Sequence, residues 1–206
     1  YNDVFFKKVI KSKKDDVRLK SEYKKIKKYR KMIKFVYQNS PKGTGDALLK
    51  CKKYIKSKYF LMLLPDDLII KKNCSKEMVK IHNKYKCSVI ASKKVKKKEV
   101  TRYGMFKYGK IKKKLLFLND VIEKPSIANA PSSYGVIGRY ILTSKIFKLL
   151  RKQIPGKNGE IHITDAIRNL MFKKEEEFIG SIISGQYLDC GSMKGYIDSS
   201  IKISKL

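Results

Sequence analysis

The chain has 206 residues, enough for one domain with a substantial hydrophobic core. It carries 50 lysine and arginine residues against 18 acidic ones, a net charge of +32, but only six of the basic residues are arginine. Proteins that recognise nucleic-acid bases and phosphates favour arginine, so we expect any nucleic-acid binding by this chain to be weak and independent of sequence. A nucleic-acid-binding protein is therefore the weakest of the alternative functions.

Cysteines and histidines do not form a recognisable site in the sequence. The four cysteines have no C-x-x-C spacing and there are only two histidines, which argues against zinc binding and against a Cys–His catalytic pair. No apolar run is long enough to span a membrane. We therefore expect a cytoplasmic protein with reduced thiols and no membrane partner.

Apolar periodicity divides the chain into alternating helices and strands. Residues 1–31 predict helices, residues 32–37 a strand, and residues 38–45 a loop with two glycines and a proline. Residues 59–67 (YFLMLLPDD) predict a strand buried on both faces. The other predicted elements are helices over 46–56, 75–85, 144–152, 159–172 and 193–206, strands over 87–92, 133–142, 178–183 and 187–188, and a hairpin of strands 102–108 and 115–122 that turns at Gly109-Lys110.

The strand–helix–strand order predicts an α/β fold with a mainly parallel sheet and right-handed crossovers. Asp66 and Asp67 end the strand over 59–67, at the edge where open α/β sheets bind ligands. An acid pair there suits a divalent cation that carries phosphates, because hard cations prefer oxygen ligands. A polar turn is the alternative interpretation, and it applies to Asp67 more than to Asp66.

Seven short motifs give the chain a family resemblance. It resembles the sugar-phosphate nucleotidylyltransferases, and within them the bacterial UTP–glucose-1-phosphate uridylyltransferases. The motifs are Gln38 with KGTGDA (42–47), LLPDDLI (63–69), RYG (102–104), EKP (123–125), GVIGRYIL (135–142), GEIHITDAI (159–167) and YLDCG (187–191).

The resemblance implies a Rossmann-like nucleotidyltransferase fold with a mixed, mainly parallel central sheet. It implies transfer of a uridylyl group from UTP to glucose 1-phosphate, giving UDP-glucose and pyrophosphate. Asp66 and Asp189 would hold Mg²⁺ and Lys124 the sugar phosphate, and these three would be the catalytic residues. The implied substrate contacts are Gln38 and Gly43 to the uracil and Gly104, Glu123, Gly138 and Glu160 to the sugar.

The chain departs from the family in two places. Many relatives carry histidine where Asp46 stands, which leaves the contact at that helix start open. The family's N-terminal strand and G-x-G-T-R loop, which cradle the triphosphate, have no match. We therefore expect residues 1–206 to form one incomplete nucleotidyltransferase-like domain that is inactive alone.

Other functions stay open at this point. They are a nucleotidylyltransferase that uses dTTP or another sugar phosphate, and a non-catalytic fragment or paralogue. The exact sugar and the oligomeric state are also open, with a homo-oligomer among the alternatives.

Overall fold

A computed structural model describes residues 3–13, 16–156 and 159–206. The chain divides into two compact units, Tyr1–Tyr37 and Gln38–Leu206. The first unit contains two helices, α1 (Asp3–Ser12) and α2 (Val17–Arg30), which confirms the helices predicted over 1–31 except at residues 1, 2, 14 and 15, which lie outside the described residues. Asp16 begins α2 as an N-cap that accepts a hydrogen bond from Leu19 N–H at 2.8 Å.

The strand predicted over residues 32–37 is wrong. None of the described strand pairings includes these residues, which have no regular secondary structure. A β-strand needs a neighbouring strand that forms hydrogen bonds with its N–H and C=O groups. The apolar run over residues 32–37 has a high β-propensity, but no described strand pairs with it.

Helices and strands of the second unit follow the predicted alternation. The helices are α3 (Thr44–Cys51), α4 (Cys74–Tyr85), α5 (Ile146–Lys152), α6 (Ile163–Phe172) and α7 (Met193–Ile203), with short 3₁₀ helices at Lys52–Tyr54 and Lys97–Arg102. The strands are β1 (Tyr59–Leu63), β2 (Asp67–Ile70), β3 (Ser88–Lys94), β4 (Met105–Lys112), β5 (Leu115–Ile122), β6 (Tyr134–Thr143), β7 (Phe178–Ile182) and β8 (Gln186–Asp189). None of the helices within the described ranges is long and apolar enough to cross a membrane.

Six strands form one mixed sheet in the order β1-β6-β3-β7-β5-β4. The α/β class and the mixed sheet are confirmed. The expectation of mainly parallel pairing needs correction, because β3–β7 is the only parallel pair among the described strands. β1 and β3 do point the same way, as the strand–helix–strand order predicts, but β6 inserts between them and is antiparallel to both.

Apolar side chains cover both faces of this sheet. One buried cluster lies under α3, α5 and α6 and includes Ile90, Phe106 and Leu142. The other lies under α4 and includes Met78 and Val89. A sheet covered on two faces explains why the strands read as continuous apolar runs.

The segment over 59–67 is two strands rather than one. β1 ends at Leu63, and β2 begins at Asp67 after a short turn. Leu61 and Leu63 of β1 are 40 % and 49 % exposed, so the expected burial on both faces is wrong. The physical reason is that β1 pairs only with β6 among the described strands.

The β4–β5 hairpin turns later than predicted. Its turn lies at Lys113 and Lys114, where Lys113 has a φ of +55°. Gly109 instead lies inside β4 beside a register shift, and a Cβ there would lie 2.9 Å from Asn119 Nδ2. Close packing against Asn119, and not a turn, therefore explains the glycine at this position.

Core packing gives a stability prediction. Leu142 on β6 is fully buried, and Leu142→Ala should lower the free energy of unfolding by about 2–5 kcal/mol because it leaves a cavity. Leu61→Ala on the adjacent strand, where the side chain is 40 % exposed, is the matched control and should cost much less. Urea denaturation measures both, and equal losses would contradict the described core.

Candidate functional site

The β2–β8 ribbon brings together carboxylates that are far apart in sequence. Asp67 lies directly opposite Asp189 in its antiparallel register, and Cys190 N–H donates to the Asp66 carbonyl at 2.8 Å. A Cβ placed on Gly191 would lie 2.9 Å from Asp66 Oδ2 and 3.3 Å from Asp189 Oδ1. The carboxylates of Asp66 and Asp189 therefore both lie beside Gly191.

Asp67 has a structural part in this arrangement. Its carboxylate accepts hydrogen bonds from the Tyr187 hydroxyl on β8 and from Gly138 N–H on β6. Burial raises the pKa of Asp67, while these two hydrogen bonds oppose the shift. Burial and the bond to Asp67 raise the pKa of Tyr187 and keep its hydroxyl protonated as the donor.

Gly138 fits against Asp67 because it has no side chain. A Cβ there would collide with Asp67 Oδ2 and would lie 2.5 Å from Leu64 Cβ. The predicted sugar contact of Gly138 therefore has a second explanation, the close approach of β2 to β6.

A cavity of about 450 Å³ opens in front of these carboxylates. It gathers seven of the nine residues predicted from the sequence, namely Asp66, Gly104, Glu123, Lys124, Gly138, Glu160 and Asp189. Other residues that line it include Arg102, Tyr103, Tyr140, His162 and Tyr187. A concave site with convergent polar groups is the default candidate for substrate binding.

The end of β5 supplies one wall of the cavity. A Cβ on Gly104 would lie 3.1 Å from Glu123 Oε2, so glycine lets the carboxylate approach the backbone. The Gly104 carbonyl accepts from Val136 N–H at 2.8 Å, and its own N–H has no hydrogen-bond partner among the described residues. Lys124 has a φ of +42°, a strained conformation for a residue with a side chain. Its N–H donates to the Tyr103 carbonyl at 3.1 Å, which holds the turn.

Another part of the cavity wall comes from an extended segment that the sequence assigned to a helix. The helix predicted over 159–172 begins only at Ile163, and residues 157 and 158 lie outside the described residues. Gly45 N–H donates to the Ile161 carbonyl and Ile161 N–H to the Lys42 carbonyl, both at 2.8 Å. These bonds hold the segment extended and bring Glu160 to the cavity, where its Oε2 lies 3.7 Å from His162 Nε2.

Gln38 and Gly43 are the two predicted residues that do not line the cavity. They lie beside it, because a Cβ on Gly43 would lie 3.1 Å from Glu160 Cβ. Gln38 Nε2 donates to Asp46 Oδ2 at 2.7 Å and to the Gly43 carbonyl at 3.3 Å. The loop and α3 thus form one hydrogen-bonded unit at the rim.

The cavity is acidic although the chain is strongly basic. Five of its lining side chains are carboxylates, whereas arginine and lysine contribute only Arg102 and Lys124. Arg102 Nη2 lies 3.0 Å from Asp189 Oδ2, so a cation already complements this carboxylate. Such a surplus of acidic groups suits a bound cation and sugar hydroxyls.

Arg102 and Tyr187 are contributors that sequence reasoning missed. Both lie inside quoted motifs, RYG and YLDCG, and that position was the available signal. Lys93 was also missed: its Nζ donates to Tyr103 Oη at 3.0 Å and lies 3.9 Å from the centre of the Tyr187 ring. Lys93 therefore contacts both tyrosines that line the cavity.

The donor set fits a metal that takes some ligands from elsewhere. Within the described ranges, no group of three or more His, Cys, Asp or Glu side chains could enclose a metal. Asp66 and Asp189 would supply two carboxylate ligands. Mg²⁺ is commonly bound in this way, by one or two carboxylates together with phosphates and water.

Comparison with known proteins identifies the family of the chain. The family described as "Nucleotidyl transferase" matches residues 3–205. A UTP–glucose-1-phosphate uridylyltransferase of Pseudomonas aeruginosa is 38 % identical over 169 residues, which cover 81 % of this chain and 60 % of the relative. The chain thus spans about 60 % of the length of the curated relatives it matches.

Solved structures give the same result. A UDP-glucose pyrophosphorylase complexed with UDP-glucose has a TM-score of 0.78 and 38 % identity, covering 84 % of this chain and 66 % of that one. A UTP-bound UGPase from Acinetobacter baumannii has a TM-score of 0.75 and 26 % identity, covering 98 % of this chain and 70 % of that one. The Rossmann-like nucleotidyltransferase fold predicted from the motifs is confirmed.

The Tyr187–Asp67 contact gives a testable prediction. Tyr187→Phe removes the hydroxyl that donates to Asp67 and should lower the free energy of unfolding by about 1.5–3 kcal/mol, as for hydrogen bonds to charged groups. Tyr196→Phe on α7, where the residue is 59 % exposed, is the control and should change stability by less than about 0.5 kcal/mol. Denaturant titration compares the two, and an unchanged midpoint for Tyr187→Phe would show that the contact contributes nothing.

Proposed function

Because the chain belongs to the nucleotidyl transferase family, we propose that the protein containing it transfers a uridylyl group from UTP to glucose 1-phosphate. The products are UDP-glucose and pyrophosphate. The observation that carries the proposal is the convergence of Asp66, Asp189, Glu123 and Lys124 on one cavity, in a chain whose relatives bear that name.

The proposed reaction is a single displacement at phosphorus. A phosphate oxygen of glucose 1-phosphate attacks the α-phosphorus of UTP, and the bond from that phosphorus to the oxygen bridging the α- and β-phosphates breaks. Pyrophosphate leaves with the bond electrons, so no protein nucleophile or redox group is needed. Catalysis then depends on positioning and on compensation of phosphoryl charge.

Lys124 is the residue proposed to hold the sugar phosphate. Its strained backbone at the end of β5 directs it to the cavity, and its Nζ has no hydrogen bond or ion pair with a described residue. A cation that is not already paired is available for an anionic substrate. A lysine acts there as a point charge on the phosphate oxygens.

Asp66 and Asp189 are the residues proposed to hold Mg²⁺. The metal would compensate charge on the phosphate oxygens when bound. Arg102 lies 3.0 Å from Asp189, so one cationic group is already beside this carboxylate and the metal would be a second. The β2–β8 register is what keeps the two carboxylates side by side.

The remaining predicted residues would bind the two organic parts of the substrates. Glu123 and Glu160, which both line the cavity, would accept hydrogen bonds from sugar hydroxyls. Gly104 would offer its backbone N–H, and Gly138 would line the sugar pocket. The implied uracil contacts, Gln38 and Gly43, lie at the rim next to Glu160.

The proposal also keeps three broader expectations from the sequence. Residues 1–206 would belong to one nucleotidyltransferase-like domain, since the family match covers residues 3–205. The location would be cytoplasmic. Small-molecule substrates, without a specific nucleic acid, would be the binding partners, and a homo-oligomer remains one alternative for the assembly.

Removal of either metal-binding carboxylate tests the proposal. In the full-length protein, Asp66→Asn or Asp189→Asn should lower the rate of pyrophosphate release from UTP and glucose 1-phosphate by at least about 100-fold, because charge compensation worth several kcal/mol is lost. The folds should remain intact by circular dichroism. Glu22→Gln, which removes an acid from α2 where it pairs with Lys25, is the control and should keep wild-type turnover.

Two outcomes would contradict this assignment. One is near-normal, Mg²⁺-dependent turnover in either aspartate variant. The other is a wild-type protein that releases no pyrophosphate with UTP and glucose 1-phosphate but does so with a different pair of substrates.

A further inference from the structure

The amide of Gln38 is held in one orientation by its neighbours. Its nitrogen lies 2.7 Å from Asp46 Oδ2 and 3.3 Å from the Gly43 carbonyl oxygen. A carboxylate and a carbonyl only accept hydrogen bonds, so both require the NH₂ group on their side. The amide oxygen, Oε1, is thereby turned away from them, and no described residue donates a hydrogen bond to it.

Asp46 is the residue that fixes the orientation of the Gln38 amide. It is only 7 % exposed, in the first turn of α3, and its other carboxylate oxygen lies 3.8 Å from Lys50 Nζ. Breaking the bond from Gln38 would leave a buried acceptor unsatisfied, which is costly. Without Asp46, only the longer bond to the Gly43 carbonyl, at 3.3 Å, would favour this orientation, so the amide would rotate more readily.

Gly43 complements the fixed amide with a donor. Its N–H forms no hydrogen bond with a described residue, while its carbonyl accepts from Gln38 and from Ala47 N–H at 3.2 Å. A φ of +91° and a Cβ position only 2.7 Å from the Ile161 carbonyl oxygen restrict this position to glycine. The rim therefore offers one fixed acceptor, Gln38 Oε1, and one donor, Gly43 N–H.

We propose that Asp46 is a positioning residue for nucleobase selection, which acts by fixing the Gln38 amide with its oxygen toward the base. This inference rests on the proposed function and extends it to a residue whose role the motifs leave open. An acceptor beside a donor matches a base edge with a ring N–H next to a carbonyl, as in uracil and thymine. Cytosine presents an unprotonated ring nitrogen beside an amino group, so both contacts would be mismatched.

The test compares two nucleotide sugars that differ in the base alone. Calorimetry with the full-length protein measures the dissociation constants of UDP-glucose and CDP-glucose. The wild type should prefer UDP-glucose by at least about tenfold, since mismatched hydrogen-bonding groups at a base edge cost that much or more. Asp46→Asn should lower the ratio of the two constants severalfold, because an asparagine amide can accept from Gln38 or donate to it and therefore no longer dictates the orientation, although the Gly43 carbonyl still favours it.

Two further variants separate positioning from a general structural effect. Lys50→Gln removes the other partner of Asp46 and should keep the wild-type ratio. In a Gln38→Ala background, Asp46→Asn should leave the ratio unchanged, because Asp46 acts through Gln38. If Asp46→Asn does not fold, Asp46→Ser serves in its place, as a short side chain cannot hold the amide.

The outcomes distinguish this inference from the proposed function. A wild type that prefers UDP-glucose, with an Asp46→Asn variant in which this preference is reduced, supports both. An unchanged preference in Asp46→Asn, or a wild type that binds both nucleotide sugars equally, overturns the role of Asp46 and leaves the transferase assignment standing. A wild type that binds neither nucleotide sugar overturns the proposed function and this inference together.

Discussion

The half-buried carboxylate of Asp67 is the group on which the site depends. It joins three strands, because it lies at the start of β2, accepts from Gly138 of β6 and accepts from Tyr187 of β8. The β2–β8 register then sets Asp189 opposite Asp67 and beside Asp66. A charged group in a half-buried place must keep its hydrogen bonds, so the three strands cannot separate without a large cost. The geometry of the cavity follows from this junction.

The cavity also resolves an apparent conflict in charge. A chain of net charge +32 encloses five carboxylates in one cavity, where a divalent cation and a neutral sugar would be bound. In the proposed function, the net positive charge would attract polyanions such as nucleoside triphosphates, and the acidic cavity would favour those that carry a cation. The net charge and the charge of the cavity would then act at different steps of binding, so the net charge alone does not predict the function.

The sequence predicted most elements but not their neighbours. Periodicity located β3, β5, β6 and most helices, since these signals are local. It could not show that β6 inserts between β1 and β3, or that the four residues of β2 pair with β8, because both depend on contacts between distant segments. At the site, seven motif residues converge as expected, whereas Arg102 and Tyr187 were not recognised among 50 basic residues and 13 tyrosines. Arg102 and Tyr187 matter through their contacts with Asp189 and Asp67, and these contacts are visible only in the folded structure.

The most direct measurement of the central claim is a crystal structure of the full-length protein with Mn²⁺ and UDP-glucose, using the anomalous signal of the metal. The account predicts one metal peak between the carboxylates of Asp66 and Asp189, with the glucose in the cavity between Glu123 and Glu160. A metal bound elsewhere, or a sugar outside this cavity, would contradict it.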